Sequence, residues 1–104
     1  RHAAEAYTLE ATPDATIVTA NTVTGLYRGL QTLRQLIVRH EDKTTIAACR
    51  IHDHPAFEIR GFMHDVGRNF QTLEQLKMQI DIMAAYKYSA SKTQLSQEWE
   101  TRNK

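Results

Sequence analysis

Residues 64–70 read HDVGRNF and set His64, Asp65 and Arg68 close together, after a run of bulky apolar residues and before a helix signal. An arginine at the exit of a buried strand has two readings from its residues alone. Arg68 is a solvated loop charge or an ion-pair partner of Asp65, or it is aimed at a ligand. Asp65 is expected to orient the strand–loop junction, a structural role. Arg60 precedes Gly61 at the other end of the segment, where a structural role is favoured. His52 and His54 form an HxH pair, but two histidines without a third ligand are weak grounds for a metal, and a turn or surface role is preferred. No metal and no cofactor is expected. Cys49 is the only cysteine. It excludes an internal disulfide and a cysteine-rich zinc site, and its TTIAAC setting suits a buried, inert thiol.

These residues need elements to position them. AYTLEAT (6–12) and TIVTAN (16–21) are short and rich in β-formers, with Pro13 and Asp14 between them, so a hairpin is predicted. Its mixed pattern suggests cover on both faces. In 22–40 the period changes: Val23, Leu26, Leu30, Leu33 and Ile37 step by three and four along one helical face, behind a Thr22 N-cap. Gly25 and Gly29 cost that helix about 1 kcal/mol each relative to Ala. Close approach of the helix to a sheet is the expected compensation. TTIAACRI (44–51) reads as a third strand, broken by HDHP. FEIRGFMHDV (57–66) carries bulky residues on both faces, which fits a strand covered on both sides. TLEQLKMQIDIMAAYKY (72–88) is a helix opened by a Thr72–Gln75 capping box. After Tyr88 the chain turns polar, with Leu95 and Trp99 as its apolar anchors. Trp99 is read as packing on a helix face rather than as a sugar platform.

The composition bounds the class. The chain has 104 residues, 41% hydrophobic and 24% charged, which suits a small globular unit rather than disorder. Thirteen basic and twelve acidic residues give a formal charge of +1, so neither nucleic acid nor an anionic membrane is expected as the main partner. The apolar runs are too short to span a bilayer. The chain opens at Arg1 without an initiator methionine and reaches a strand signal almost at once, so upstream sequence is expected.

Three segments in order, the GLYRGLQTL helix, RGFMHDVGRNF and the AAYKY helix end, together resemble glycoside hydrolase family 20, the β-N-acetylhexosaminidases. The resemblance covers roughly residues 5–88 and divides the chain in three. Residues 1–56 would be part of the non-catalytic α/β domain. Residues 57–88 would be the first β–α unit of a (β/α)₈ catalytic barrel, and 89–104 a divergent polar tail without family features. The fold class is thus α+β, a small mainly antiparallel sheet with two main helices, followed by the start of a barrel. Barrel enzymes build their sites at the C-terminal ends of the strands. Arg68 lies just past such an end and is similar to the family's substrate-binding arginine, whose planar fork of donors suits neighbouring sugar hydroxyls. His64 could face the barrel interior.

The resemblance also implies what the chain lacks. The family's hydrolysis is substrate-assisted: the acetamido oxygen attacks the anomeric carbon, a glutamic acid protonates the leaving oxygen, and an adjacent aspartate orients the acetamido group. These 104 residues contain no Asp–Glu dipeptide; the one acidic pair, Glu41-Asp42, sits in a polar loop. A barrel needs about 250 residues. No catalytic residue is therefore assigned, and the chain by itself is expected to be inactive. N-acetylhexosamine-containing glycans are the implied partners of the intact enzyme, in an extracytoplasmic compartment by family analogy. The alternative is a non-enzymatic α/β binding or scaffold module that self-associates through its exposed barrel strand and helix.

Overall fold

The computed structural model describes residues 3–94, and the chain separates into two compact units, Arg1–Glu58 and Ile59–Lys104. In the first, β1 (Tyr7–Ala11) and β2 (Thr16–Ala20) form the predicted antiparallel hairpin, with Tyr7 opposite Ala20 and Ala11 opposite Thr16. Thr12 closes the turn: its N–H and its hydroxyl both donate to the Ala15 carbonyl, at 2.9 and 3.0 Å. Helix α1 (Val23–Leu36) begins at Thr22, whose hydroxyl oxygen accepts the Gly25 N–H at 3.0 Å. The short strands β3 (Ile37–His40) and β4 (Lys43–Ile46) then make a second antiparallel hairpin, turning at Glu41 with φ 52°. Strand β5 (Cys49–Asp53) returns to pair antiparallel with β1, giving a sheet of order β2-β1-β5.

The core of this unit is narrow. Tyr7, Leu9 and Ala11 are buried on one face of the central strand, and Leu33, Leu36, Ile46, Cys49 and Ile51 pack around them. Tyr7 ties three elements together, because its hydroxyl donates to Asp53 Oδ2 at 2.9 Å on β5 and bonds Thr32 Oγ1 on α1. Helix α1 approaches through its glycines. A Cβ on Gly25 would lie 2.6 Å from the Ala6 carbonyl oxygen, and one on Gly29 would lie 2.4 Å from Val18 Cγ1. Arg28 on the same side pairs with Glu5 at 2.9 Å.

This packing corrects the expected apolar stripe. Of its members only Leu33 joins the core, whereas Val23 is 84% exposed and Leu30 48%. The buried face runs instead through Gly25, Gly29, Thr32, Leu33 and Leu36. Hydrophobic periodicity weighs side chains, so a contact made by backbone at two glycines leaves no trace in it. Two boundaries and one burial expectation also change. The helix expected over 22–40 stops at Leu36, where the chain turns extended into β3. The strand expected over 44–51 is two strands in different sheets, parted at Ala47 and Ala48. The hairpin is covered on one face only: Ile17 is exposed, and the opposite face of β1 carries Thr8 and Glu10.

In the second unit β6 (Gly61–Asp65) leads through a turn to α2 (Leu73–Ala85), and β7 (Ala90–Gln94) comes back parallel to β6. Both arms of the capping box form: the Thr72 hydroxyl accepts the Gln75 N–H at 3.2 Å, and the Gln75 side chain accepts the Thr72 N–H at 2.9 Å. The residues expected to form one strand over 57–66 contribute only 61–65 to β6. Within the stretch expected as a polar tail from residue 89, Ala90–Gln94 forms a strand, where none was expected. There, strand formation follows from backbone pairing with β6, Gly61 opposite Ala90 and Asp65 opposite Gln94, and needs no apolar side chains. The remainder of that tail, with Leu95 and Trp99, lies outside the described residues.

Candidate functional site

Arg68 is presented by a turn that Asp65 builds. The Asp65 side chain, at the last position of β6, accepts the Gly67 N–H at 3.0 Å and the Arg68 N–H at 3.4 Å, both at Oδ1. The Asp65 carbonyl accepts the Asn69 N–H at 3.4 Å. The chain is thereby held through residues 66–69, just past the C-terminal end of the strand. Arg68 is exposed there, and among the described residues no carboxylate pairs with its guanidinium. The ion pair with Asp65 is therefore not made. Asp65 takes the junction-building part expected of it.

Arg60 works at the opposite end of the unit. Its Nε donates to the Lys87 carbonyl at 2.9 Å, just beyond α2. Its N–H donates to Ser89 Oγ at 2.8 Å, and its carbonyl accepts the Ser89 N–H at 2.8 Å. These bonds join the entry of β6, the exit of α2 and the entry of β7. They fix the register of the parallel pair, and with it the level at which the two strands end. Arg60 is structural, as its position before Gly61 indicates.

His64 does not face the way the barrel reading suggests. Its ring stacks on Phe62, centroids 5.9 Å apart at 28°, so the two share one face of β6. Phe62 lines a groove of 370 Å³ with Gln79, Ile82, Met83, Tyr86 and Tyr88, which marks that face as the one bearing α2. An alternating strand puts His64 on the helix side and Asp65 on the other. Among the described residues, His64 Nε2 and Gln71 Oε1 are buried without a hydrogen-bond partner. Gln71 was not singled out in the sequence, and a lone glutamine before a capping box carries no signal of burial.

The remaining candidates stay apart. His52 Nδ1 bonds Thr8 Oγ1 at 3.0 Å on the solvent face of the sheet, and His54 Nδ1 lies 3.3 Å from the Pro55 carbonyl oxygen. Among the described residues no three His, Cys, Asp or Glu side chains converge as a metal site would require. Glu41 and Asp42 form the exposed turn between β3 and β4.

An α+β unit is followed by a parallel β–α–β unit with an exposed arginine just past the end of its first strand, the order in which a (β/α)₈ barrel begins. Comparison with known proteins makes this specific. Residues 1–54 match the model of glycosyl hydrolase family 20, domain 2, and residues 57–97 match that family's catalytic domain. The chain belongs to glycoside hydrolase family 20. It is 39% identical over 84 residues to a β-N-acetylhexosaminidase of Cellulomonas fimi, an alignment covering 80% of this chain and 17% of that protein. A β-hexosaminidase of Porphyromonas gingivalis is 36% identical over 90 residues, covering 80% of this chain and 12% of the relative. Among solved structures, a family 20 β-N-acetylglucosaminidase superposes with TM-score 0.82 and 40% identity over 89% of this chain and 19% of its own. The exo-β-N-acetylglucosaminidase of Vibrio harveyi, solved with N-acetylglucosamine, gives TM-score 0.84 and 32% identity over 88% of this chain and 15% of its own. The chain thus spans less than a fifth of the length of the relatives it matches. The catalytic-domain match also runs past Tyr88, so family-like sequence continues into the stretch read as featureless.

Proposed function

We propose that this chain is a section of a β-N-acetylhexosaminidase, and that Arg68 grips hydroxyls of the terminal N-acetylhexosamine in the complete site. Residues 1–56 act as the non-catalytic domain and 57–88 as the first β–α unit of the catalytic barrel. The observation that carries this reading is Arg68 itself, exposed past the end of β6 on a turn fastened by Asp65, within the stretch matching the catalytic-domain model. A guanidinium already engaged by a carboxylate would have little to offer a neutral sugar. One left free presents its planar fork to two adjacent hydroxyls.

The chemistry of hydrolysis comes from elsewhere. A protonated carboxyl must deliver a proton to the leaving oxygen, and a second carboxylate must hold the acetamido group. The sequence carries no adjacent Asp–Glu pair to do so. The 104-residue chain alone is therefore expected to show no turnover of a chromogenic N-acetylglucosaminide above a heat-killed control. Turnover above that control would overturn the division of labour described here. The scaffold-module reading gains nothing from the relatives named above, which are hydrolases by name.

A further inference from the structure

From the solvent face of the first unit we infer a sugar-binding site: a pocket of Thr8, Thr19, Asn21 and His52 that takes one neutral, acetamido-bearing sugar residue. The choice of ligand rests on the proposed action on N-acetylhexosamine-containing glycans; the pocket itself does not.

The register of the sheet builds the pocket. Thr8 on β1 stands opposite Thr19 on β2 and His52 on β5, so three polar residues form one row across the sheet. Alternation puts that row on the face away from the buried Tyr7 and Leu9. Asn21 follows the end of β2, and with Ala6, Tyr7 and Ala20 these residues line a cavity of 180 Å³. That is below the roughly 300–1,000 Å³ of a site for a drug-sized ligand, and on the scale of a single sugar ring. Thr19, Asn21 and His52 are exposed, so a solute reaches them. The groups match a sugar in kind. A hydrogen bond of 3.0 Å joins Thr8 Oγ1 to His52 Nδ1 and orients the imidazole, leaving Nε2 to donate or accept according to the tautomer. A sugar hydroxyl can answer either. The Asn21 amide offers a donor and an acceptor side by side, the complement of an acetamido group. Among the described residues no Asp, Glu, Lys or Arg lines the pocket, and the next row sets Glu10 opposite Arg50, so local charge is balanced. A phosphate or another anion would call for a cation here. A weak contact of this kind gains value on a glycan of repeated residues, because a second attachment to the same chain raises overall avidity.

The test titrates the isotope-labelled 104-residue chain with N-acetylglucosamine and follows its backbone amide signals by NMR. The expected result is saturable shifts at Thr8, Thr19, Asn21 and His52, with weaker binding of glucose, which lacks the acetamido group. His52→Ala and Asn21→Ala should each weaken binding roughly 2- to 10-fold, as loss of one neutral hydrogen bond does. Thr45→Ala, exposed on β4, should leave it unchanged. His52 and Asn21 are exposed, and the unaltered remainder of each variant's spectrum confirms the fold. Absence of saturable shifts up to the solubility of the sugar, shifts confined to other segments, or an equal response to glucose or to inorganic phosphate would overturn the inference. The inference and the proposed function fail separately. Shifts at this pocket, together with an Arg68 that has no effect on hydrolysis, would keep the site and lose the proposed function; the reverse would lose the site alone.

Discussion

At the scale of single residues, two positions decide most of what this chain presents. Gly25 is one. Replacing it with Ala should gain roughly 1 kcal/mol of helix propensity, yet the new Cβ would sit 2.6 Å from a backbone oxygen, Ala6 O, which cannot swing away as a side chain would. Overpacking of this kind costs about 1–3 kcal/mol, so Gly25→Ala is expected to lower the urea midpoint without changing the slope of the transition. Asp65 is the other. Asp65→Ala removes the acceptor for two backbone N–H groups and should cost about 1 kcal/mol. Asp65→Asn keeps an acceptor oxygen and should lose less than half of that, in the same denaturation experiment. Arg68 was legible in the sequence as an arginine at a strand exit. That Asp65 spends its carboxylate on the turn, so that no carboxylate among the described residues pairs with the guanidinium, was not, since spacing alone cannot choose between an ion pair and a backbone cap.

At the scale of elements, local signals were readable where they were chemical and failed where contact was made by backbone. The Thr72–Gln75 box is a side-chain signature, and it forms as spelled. Thr72→Ala should therefore cost about 1 kcal/mol of stability and show as reduced helicity by circular dichroism. Helix α1 is the counter-example. Its apolar residues pointed to one face, and its glycines, which carry almost no hydropathy, pack on another. Strand β7 is the second. ASKTQ lacks the apolar run of a buried parallel strand, so only its partner β6 reveals it. The division of TTIAACRI has the same origin, because each half finds a different neighbour, β3 or β1, and pairing over such distances along the chain is not written in either half.

At the scale of the molecule, the two family-model matches and the relatives of which the chain spans less than a fifth place it in family 20. The resemblance was carried by segments, and the structure accounts for each of them. GLYRGL brings α1 onto the sheet, RGFMHDVGRNF is β6 with its capped turn, and AAYKY is the helix exit that Arg60 fastens. The most direct measurement replaces the aligned stretch of the Cellulomonas fimi β-N-acetylhexosaminidase with that of this chain and compares Arg68 with Arg68→Ala and Arg68→Lys. Loss of charged hydrogen bonds worth about 1.5–3 kcal/mol should lower kcat/KM for a chromogenic N-acetylglucosaminide by roughly 10- to 150-fold, with lysine unable to restore the fork. A folded Arg68→Ala chimera that hydrolyses as fast as the Arg68 chimera would contradict the account.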